Sequence, residues 1–398
     1  LPHEMSVPYT RDERARQAFV AGLREHILTR VAAGLRRHYD DEVAPALVAE
    51  KGRAAASGPE VHRAMKREKP FRFYSAARRS AQEMVFASVI PGVDRQLDTL
   101  SERAAAGRAT ARGSLTLDPD LTVPANVTDI DVHLAPGSYH AEYGDDDVGA
   151  GAVYDQAINV FAFRQFGRGL DDIGHTMANF VRLKFPDLDV TRVLDCGCTI
   201  GHNTLPWAGV FADADIHAID VAPGVLRYAH ARAENLGAAV HFRQMNATNL
   251  SYPDNSFDVV FSSMFLHELP LADIRAYFRE AHRVLKPGGL LWNMELPPNS
   301  AMGPYESFYL DWDSYYNNEP FYKPFRDQDY RGLIASGGFA REAFVEATLP
   351  RYTFVGDDAF RAALSQPAKF DSQTGRMDPD GTRWYGFGAR KAGRNGGI

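Results

Sequence analysis

The order of hydrophobic and polar positions divides the chain into parts with different periodicities. Over residues 11–113, apolar side chains recur at helical spacing, as in the stripe of Phe19, Leu23, Ile27, Val31 and Leu35. Pro45 and the pair Gly58–Pro59 are expected to break this region into separate helices, with a further helix over about 75–100. The pattern predicts an N-terminal α-helical domain over residues 1–113.

The pattern changes twice after the helical region. Residues 114–150 are rich in Asp, Gly and Pro, which predicts a linker and a long loop. Further along, helical stretches alternate with short apolar strands, which indicates βαβ units and a mostly parallel sheet. Helices are predicted over about 154–184, 223–236 and 271–285, and strands over 191–196, 216–220, 240–244, 257–263, 289–295, 341–348 and 383–391.

Composition and charge narrow the class of protein. With 398 residues, 45% hydrophobic and 24% charged, the chain has the composition of a globular protein, which excludes a disordered one. Only Cys196 and Cys198 are present, so a disulfide scaffold is excluded, a cytoplasmic location is expected, and both thiols are expected to be buried without a metal. No apolar run approaches the about 18 residues of a membrane helix, so no membrane association is expected.

The charge is distributed unevenly along the chain. The net charge is −7, but residues 1–113 carry +6 and the remainder −13, which suggests two units with different roles. The overall acidity gives no support for binding of nucleic acid.

The turn after the first strand carries the first candidate chemistry. The sequence CGCTIGHNT (196–204) leaves the strand and opens a helix, whose free N–H groups suit a pyrophosphate or the charged end of a nucleotide-like cofactor. Asp220 ends the second strand, 25 residues after Asp195, where a carboxylate can accept two bonds from a ribose diol. The glycines fall at 197 and 201 only, which disfavours a dinucleotide fingerprint.

Two later segments complete an ordered set of motifs, NATNLSYPDNSFDVVFSS (246–263) and HRVLKPGGLLW (282–292). The set resembles a class I S-adenosylmethionine-dependent methyltransferase of the small-molecule type with an N-terminal helical extension. The resemblance covers about residues 150–391. It implies a Rossmann-like α/β domain over 151–398, whose seven-stranded, mostly parallel sheet has an antiparallel last strand. It also implies S-adenosyl-L-methionine as cofactor and S-adenosyl-L-homocysteine as product.

The resemblance implies a role in cofactor binding for each motif position. Thr199 departs from the family's pattern, which has glycine there, and should narrow the channel under the methionine part of the cofactor. The implied contacts are Asp195 for the amino group, Gly197, Thr199 and Gly201 along the backbone, Asp220 for the ribose, Val221, Asn246 and Ala247 for the adenine, and Ser262 or Ser263 for the methionine portion.

Methyl transfer from a sulfonium requires alignment of the acceptor and, for a hydroxyl or ammonium acceptor, a base. His267, just beyond the fourth predicted strand, is the best candidate base, although a capping or packing role is an alternative. Glu295 ends the fifth strand and is expected to act as a base or an anchor, or else as a structural hydrogen-bond acceptor. Glu268 is expected to point elsewhere.

An aromatic block over about 297–330 predicts an acceptor site, because ring faces can enclose an apolar or cationic molecule. A subdomain core or a dimer contact is the alternative. The segment 133–154 is expected to close over the cofactor as a lid. The residues expected to line the acceptor site are Tyr305, Tyr309, Trp312, Tyr315, Asn318 and Phe321 from the block, and Tyr139 and His140 from the lid. Tyr154, at the end of the lid, is expected to contact the cofactor.

Three functions stay open at this point. The leading one is transfer of a methyl group to a small organic acceptor in specialised metabolism, with O, N, C and S acceptors undecided. The second is methylation of RNA or protein docked on the basic N-terminal helices, and the third is a non-catalytic subunit that keeps the fold. The apolar stripes of the N-terminal helices need cover from the methyltransferase domain or from a second subunit in a homodimer.

Overall fold

A computed structural model describes residues 3–108, 111–162, 166–167, 169–365 and 383–393. The helices are α1 (Arg11–His26), α2 (Ala32–His38), α3 (Ala44–Lys51), α4 (Gly58–Met65), α5 (Lys69–Asp94), α6 (Leu97–Gly107), α7 (Ala125–Thr128), α8 (Gly149–Phe161), α9 (Asp172–Lys184), α10 (Leu205–Val210), α11 (Pro223–Asn235), α12 (Leu271–Val284), α13 (Pro304–Tyr316), α14 (Tyr322–Arg326), α15 (Tyr330–Ser336) and α16 (Tyr352–Leu364). The strands are β1 (Ser114–Thr116), β2 (Arg192–Cys196), β3 (Asp215–Asp220), β4 (His241–Gln244), β5 (Phe257–Ser263), β6 (Leu285–Glu295), β7 (Phe344–Pro350) and β8 (Arg383–Arg390).

Helices α1, α2 and α3 follow one another almost without interruption, joined by π-helical turns at Ile27–Val31 and Tyr39–Val43. The predicted break at Pro45 is therefore wrong. Pro45 lies in the first turn of α3, directly after the second π-helical turn, where a missing N–H and a wider turn are both tolerated. The run ends instead at Gly52, whose φ of 67° is the left-handed conformation that closes a helix.

The predicted apolar stripe is buried only in its second half. Ile27 and Leu35 are in the core, whereas Phe19 is 61% exposed and its neighbour Val20 takes the buried position. Helix α5 packs against α1 and α8, and α13 packs against α4. Elements of the same chain thus cover part of the N-terminal helices, while a homodimer stays a prediction.

The segment after the helices is more than a linker. Ser114–Thr116 forms β1, which pairs in parallel with β4, so the described residues form a sheet of eight strands rather than the predicted seven. The strand order is β1-β4-β3-β2-β5-β6-β8-β7, and β8 runs antiparallel to both of its neighbours, as predicted for the last strand. The carboxyl ends of β2 to β5 therefore meet at one edge of the sheet.

The predicted helix over 154–184 is two helices, α8 and α9. Between them, Gly167 and Leu170 have positive φ values of 82° and 60°, which end a helical path. The remaining predicted strands and helices of the α/β part agree with the structure to within a few residues. Two buried apolar clusters combine side chains of the strands with side chains of the surrounding helices, and this packing holds the sheet that carries the site.

Candidate functional site

A cavity of about 1020 Å³ opens at the carboxyl edge of the parallel strands. The turns after β2, β3, β4 and β5 form its floor, and residues of α1, α2, α5, α8 and α13 form its walls. It also takes residues from the segment between β1 and α8, so all three predicted parts of the chain contribute to one space.

Asp195 stands at the floor of the cavity, next to the last residue of β2. It is 2% exposed, and the hydroxyl of Thr204 donates a hydrogen bond of 2.6 Å to its Oδ2. Burial raises the pKa of Asp195 to about 7, against the lowering effect of that hydrogen bond. A cationic group placed beside this carboxylate would favour its ionised form.

Asp220 ends β3 and holds the turn that follows β2. Its carboxylate oxygens accept hydrogen bonds from the N–H groups of Thr199, at 3.0 Å, and Ala222, at 3.1 Å. Burial raises the pKa of Asp220. Thr199 has a φ of 44°, which lies in the left-handed region that favours glycine.

Gly197 shows why a glycine is needed in the turn. Its φ is 79°, and an added Cβ would lie 2.2 Å from the ring of Phe265. Gly197 lines the cavity, whereas Gly201, predicted to share its role, lies in the turn behind the lining. The close approach of Phe265 leaves room there for backbone only.

The residues predicted for the adenine lie on the cavity wall. Val221, Asn246 and Ala247 all line it. However, Oδ1 of Asn246 accepts two hydrogen bonds of 2.9 Å from the N–H and hydroxyl of Thr248. This oxygen therefore stabilises the turn after β4, which argues against its predicted bond to the adenine amino group.

The choice between the two serines at the end of β5 is decided by the strand's alternation. Ser262 points into the core, where its hydroxyl donates to Oδ1 of Asn293 at 2.9 Å, so its predicted contact with the cofactor is wrong. Ser263 lines the cavity and accepts a 2.9 Å bond from Asn203.

The predicted lid contributes two tyrosines to the cavity wall. The rings of Tyr139 and Tyr154 lie 5.6 Å apart, and Tyr154 lies 5.6 Å from the ring of His202. His140 does not line the cavity, which corrects its predicted contact with the acceptor; it follows Tyr139 in a turn that directs it elsewhere.

His267 and Glu295 form a buried pair. His267 lies in the short helical turn after β5, and its Nδ1 is 2.7 Å from Oε2 of Glu295 at the end of β6. The other carboxylate oxygen of Glu295 accepts from the N–H groups of Phe265 and Leu266. Burial lowers the pKa of His267, but Glu295 outweighs it and raises the pKa to about 9. His267 lines the cavity, and Glu295 lies behind it.

Glu268 faces the cavity, contrary to the expectation that it points elsewhere. Its Oε1 is 3.6 Å from Nε2 of His267 and 3.6 Å from Nε2 of His133. Burial raises the pKa of Glu268 more than the two imidazoles lower it. The sequence did not predict this placement, because His267 and Glu268 both lie in a 3₁₀ turn. The side chains of such a turn point in directions that follow neither strand nor α-helix periodicity.

His133 completes the same group from a distant part of the chain. Its Nδ1 lies 2.9 Å from Oε1 of Glu319, which also accepts from the amide of Asn317. Burial lowers the pKa of His133, but Glu319 outweighs it and raises the pKa. We call the five side chains that meet here the carboxylate–imidazole cluster: His133, His267, Glu268, Glu295 and Glu319.

The aromatic block is divided between the cavity and the core. Tyr305 and Tyr309 of α13 line the cavity, and their contact with an acceptor stays a prediction. Tyr322 lines it as well and stacks on His267 with ring centroids 4.1 Å apart, whereas the predicted Phe321 does not line it. Adjacent residues at the start of a helix point about 100° apart, so the composition of the block alone could not choose between them.

Three other predicted acceptor contacts in the block are wrong. Trp312 is 1% exposed and donates from Nε1 to the hydroxyl of Ser75 at 3.0 Å, so it packs α13 onto α5. Tyr315 is 75% exposed on the outer face of α13. Asn318 is exposed and donates to the carbonyl oxygen of Asp131. The block is thus partly a cavity wall and partly a core shared with the N-terminal helices.

Cys196 and Cys198 are both buried, and burial raises the pKa of each thiol. In the part of the chain that the structure describes, no three His, Cys, Asp or Glu side chains are arranged to hold a metal ion. Among the same described residues, no helix has the length and apolar character to cross a membrane.

The residues that form the floor of the cavity lie in a segment that is similar to known proteins. A family model described as a methyltransferase domain matches residues 193–289, the segment from β2 to β6 that carries Asp195, Asp220 and His267. These residues form a class I S-adenosylmethionine-dependent methyltransferase domain.

The methyltransferase domain has curated relatives in plants and bacteria. Phosphoethanolamine N-methyltransferase 3 of Arabidopsis thaliana is 36% identical over 132 residues, 32% of this chain and 25% of the relative. Demethylmenaquinone methyltransferase of Geobacillus kaustophilus is 29% identical over 165 residues, 40% of this chain and 64% of the relative. The chain thus spans about a quarter of the plant relative's length and less than two thirds of the bacterial one.

Among solved structures, Haemonchus contortus phosphoethanolamine N-methyltransferase 2, in complex with phosphomonomethylethanolamine and S-adenosylhomocysteine, is 21% identical. Its TM-score is 0.39, and the match covers 60% of this chain and 58% of that protein.

Proposed function

We propose that this chain transfers a methyl group from S-adenosylmethionine to a small organic acceptor held in the cavity. The observation that carries the proposal is that Asp195 and Asp220 of the methyltransferase domain line the same cavity as His267 and Glu268. Its volume of about 1020 Å³ lies at the upper end of the usual range for one ligand, which suits a cofactor and an acceptor side by side.

The floor of the cavity fits this cofactor. Asp195 is a buried carboxylate that accepts a hydrogen bond from one hydroxyl, and burial raises its pKa. An ammonium group beside it would stabilise the ionised carboxylate. Asp220 presents a carboxylate fixed by two backbone N–H groups, which suits a ribose diol. When bound, the cofactor supplies an activated methyl group on a sulfonium. The protein has to align the acceptor and keep water away.

We assign the proton from a hydroxyl or ammonium acceptor to Glu268 rather than to His267. Glu295 holds His267 as a proton donor at neutral pH, because the pKa of this imidazole is raised to about 9. Glu268 faces the cavity with the two Nε2 atoms of His267 and His133 behind it. The proton would move from the acceptor's oxygen or nitrogen to a carboxylate oxygen of Glu268, whose ionised form the two neighbouring imidazoles favour before transfer.

The N-terminal helices support a small acceptor over a macromolecule. Leu28 and Ala32 from this region line the same cavity as the methyltransferase domain, so the helices wall the space instead of leaving it open to a polymer. We therefore propose that the three parts, 1–113, 114–150 and 151–398, work as one enzyme.

Calorimetry with S-adenosylmethionine and S-adenosylhomocysteine tests the cofactor step. We expect binding by the whole chain, weakened by Asp195→Asn and unchanged by Asp254→Asn, a surface carboxylate. Absence of binding at millimolar concentration would overturn the proposal.

A panel of hydroxyl, amine, thiol and carbon acids then tests transfer, with release of S-adenosylhomocysteine as the readout. Phosphoethanolamine and demethylmenaquinone, named in the relatives, belong in the panel. Cofactor binding without turnover on any member, together with salt-sensitive binding to RNA, would favour the macromolecular function instead.

A further inference from the structure

Two arginines of the N-terminal helices are buried in the cavity wall. Arg24 of α1 and Arg78 of α5 are 1% and 3% exposed, and both line the cavity. Charged side chains are rarely buried to this degree unless partners compensate for the loss of water. Their convergence from two separate helices therefore calls for a function.

The two guanidinium groups lie close to each other. Nη1 of Arg24 and Nη1 of Arg78 both donate to the same oxygen, Oε1 of Gln82. An amide oxygen carries no charge, so this shared hydrogen bond brings two like charges together. Burial and the neighbouring Arg78 hold the pKa of Arg24 well below its usual range, which is the electrostatic signature of that proximity.

Other groups of the protein also contact this pair. Asp313 pairs with Arg78, with Oδ1 2.8 Å from Nε, and Arg24 stacks its guanidinium 4.5 Å from the ring centre of Phe161. The negative charge of Asp313 acts on both arginines, and an aromatic ring packs on the Arg24 side. An oxyanion between the two forks would reduce the repulsion between them and could be bound by both planar groups at once.

The arginine pair adjoins the carboxylate–imidazole cluster. Nε2 of Gln82 donates to the carbonyl oxygen of His133 at 2.8 Å, so one side chain links the two sites. Both sites line the same cavity, so one ligand there can contact both.

We infer that Arg24 and Arg78 form a subsite for an anionic group, a carboxylate or a phosphate, on the methyl acceptor. The statement that the ligand is the methyl acceptor rests on the proposed function, whereas the anion site itself does not. The subsite restricts the acceptor to molecules that carry a carboxylate or a phosphate as well as the atom that receives the methyl group.

Calorimetric titration of the whole chain, loaded with S-adenosylhomocysteine, tests the subsite with matched probes. Benzoate is compared with benzamide, and phenyl phosphate with phenol. We expect the charged member of a pair to bind about tenfold tighter or more, with a preference that weakens as salt rises. The two pairs distinguish a carboxylate site from a phosphate site.

Variants locate the effect. Arg24→Gln and Arg78→Gln should each abolish the preference for the charged probe, while Arg30→Gln, an exposed arginine on the same cavity, should keep it. If Arg78→Gln fails to fold, Arg78→Lys replaces it, because the lysine keeps a positive charge beside Asp313. This variant should still lose most of the preference, since an ammonium cannot form the two parallel hydrogen bonds of a guanidinium. Unchanged affinity for S-adenosylhomocysteine verifies the fold of each variant.

Two results would overturn the inference: equal binding of charged and neutral probes, or a preference that survives in both Arg24→Gln and Arg78→Lys. If S-adenosylhomocysteine itself does not bind, the proposed function fails. The same probe titrations on the unloaded chain then still decide the anion site.

Discussion

At the scale of single residues, the site depends on acidic side chains whose protonation is set by burial. Asp195, Asp220 and Glu268 all have raised pKa values, and burial is the largest cause for each. The imidazoles of His133 and His267 have raised pKa values as well, because carboxylates outweigh their burial. Ligand binding at this cavity should therefore be coupled to proton uptake and release.

The affinity for S-adenosylhomocysteine should fall as pH falls below 7. Asp195, with a pKa of about 7, is mostly ionised at pH 8 and mostly protonated at pH 6, and an ammonium group prefers the ionised form. We expect the dissociation constant to rise about tenfold between pH 8 and pH 6. Calorimetry across this range checks it, and Asp195→Asn should flatten the dependence. An unchanged slope in that variant would assign the proton to another group.

Glu268→Gln should slow methyl transfer to a hydroxyl or ammonium acceptor by about 10²–10⁴-fold, because the amide cannot take the proton. The affinity for S-adenosylhomocysteine should stay the same, and the acid limb of the pH–rate profile should disappear. Asp254→Asn, the surface control, should leave turnover unaltered. If Glu268→Gln retains both rate and profile while His267→Asn loses them, His267 is the base.

At the scale of elements, the sequence predicted those strands whose apolar pattern reflects burial in the sheet. Strands β2 to β5 were placed within a residue or two because each is a short apolar run on a sheet covered on both faces. Strand β1 was missed because its three residues, Ser114–Thr116, pair only with β4 at the sheet's edge and carry no such run.

The site was predictable to the same uneven extent. The motif of the methyltransferase domain placed Asp195, Gly197 and Asp220 on the cavity. The contacts of His133 with Glu319 join residues far apart in the chain, and no local pattern signals such a contact. Residue spacing and composition describe one element at a time, so they contain no signal for tertiary pairings of this kind.

Helix α13 carries both buried and exposed aromatic residues, and substitutions of the two kinds should affect stability differently. Trp312→Ala removes a buried ring between α13 and α5, so we expect a loss of about 3–5 kcal/mol in the free energy of unfolding. Tyr315→Ala removes an exposed ring from the same helix and should change it by about 0.5 kcal/mol or less. Denaturant unfolding measures both. A large loss of turnover in Tyr315→Ala at full stability would return that residue to the acceptor site.

At the scale of the whole molecule, the basic and acidic units meet around one cavity. The helical part, with its +6 charge, supplies Arg24 and Arg78, and the acidic remainder supplies Asp195 and Glu268. Neither part encloses the space alone, so the charge asymmetry along the chain corresponds to two sides of one site.

Hydrogen exchange should reveal that the parts respond together. Because residues of α1, the segment around Tyr139 and α8 line the cavity with the methyltransferase domain, ligands should slow exchange beyond residues 193–289. We expect S-adenosylhomocysteine to protect amides near Tyr139 and in α8, and further addition of the anionic probe that binds best to protect α1 and α5. Strand β7, on the far edge of the sheet, serves as the internal control. Protection confined to 193–289 with both ligands present would mean that the helical part is a separate unit and not a wall of the site.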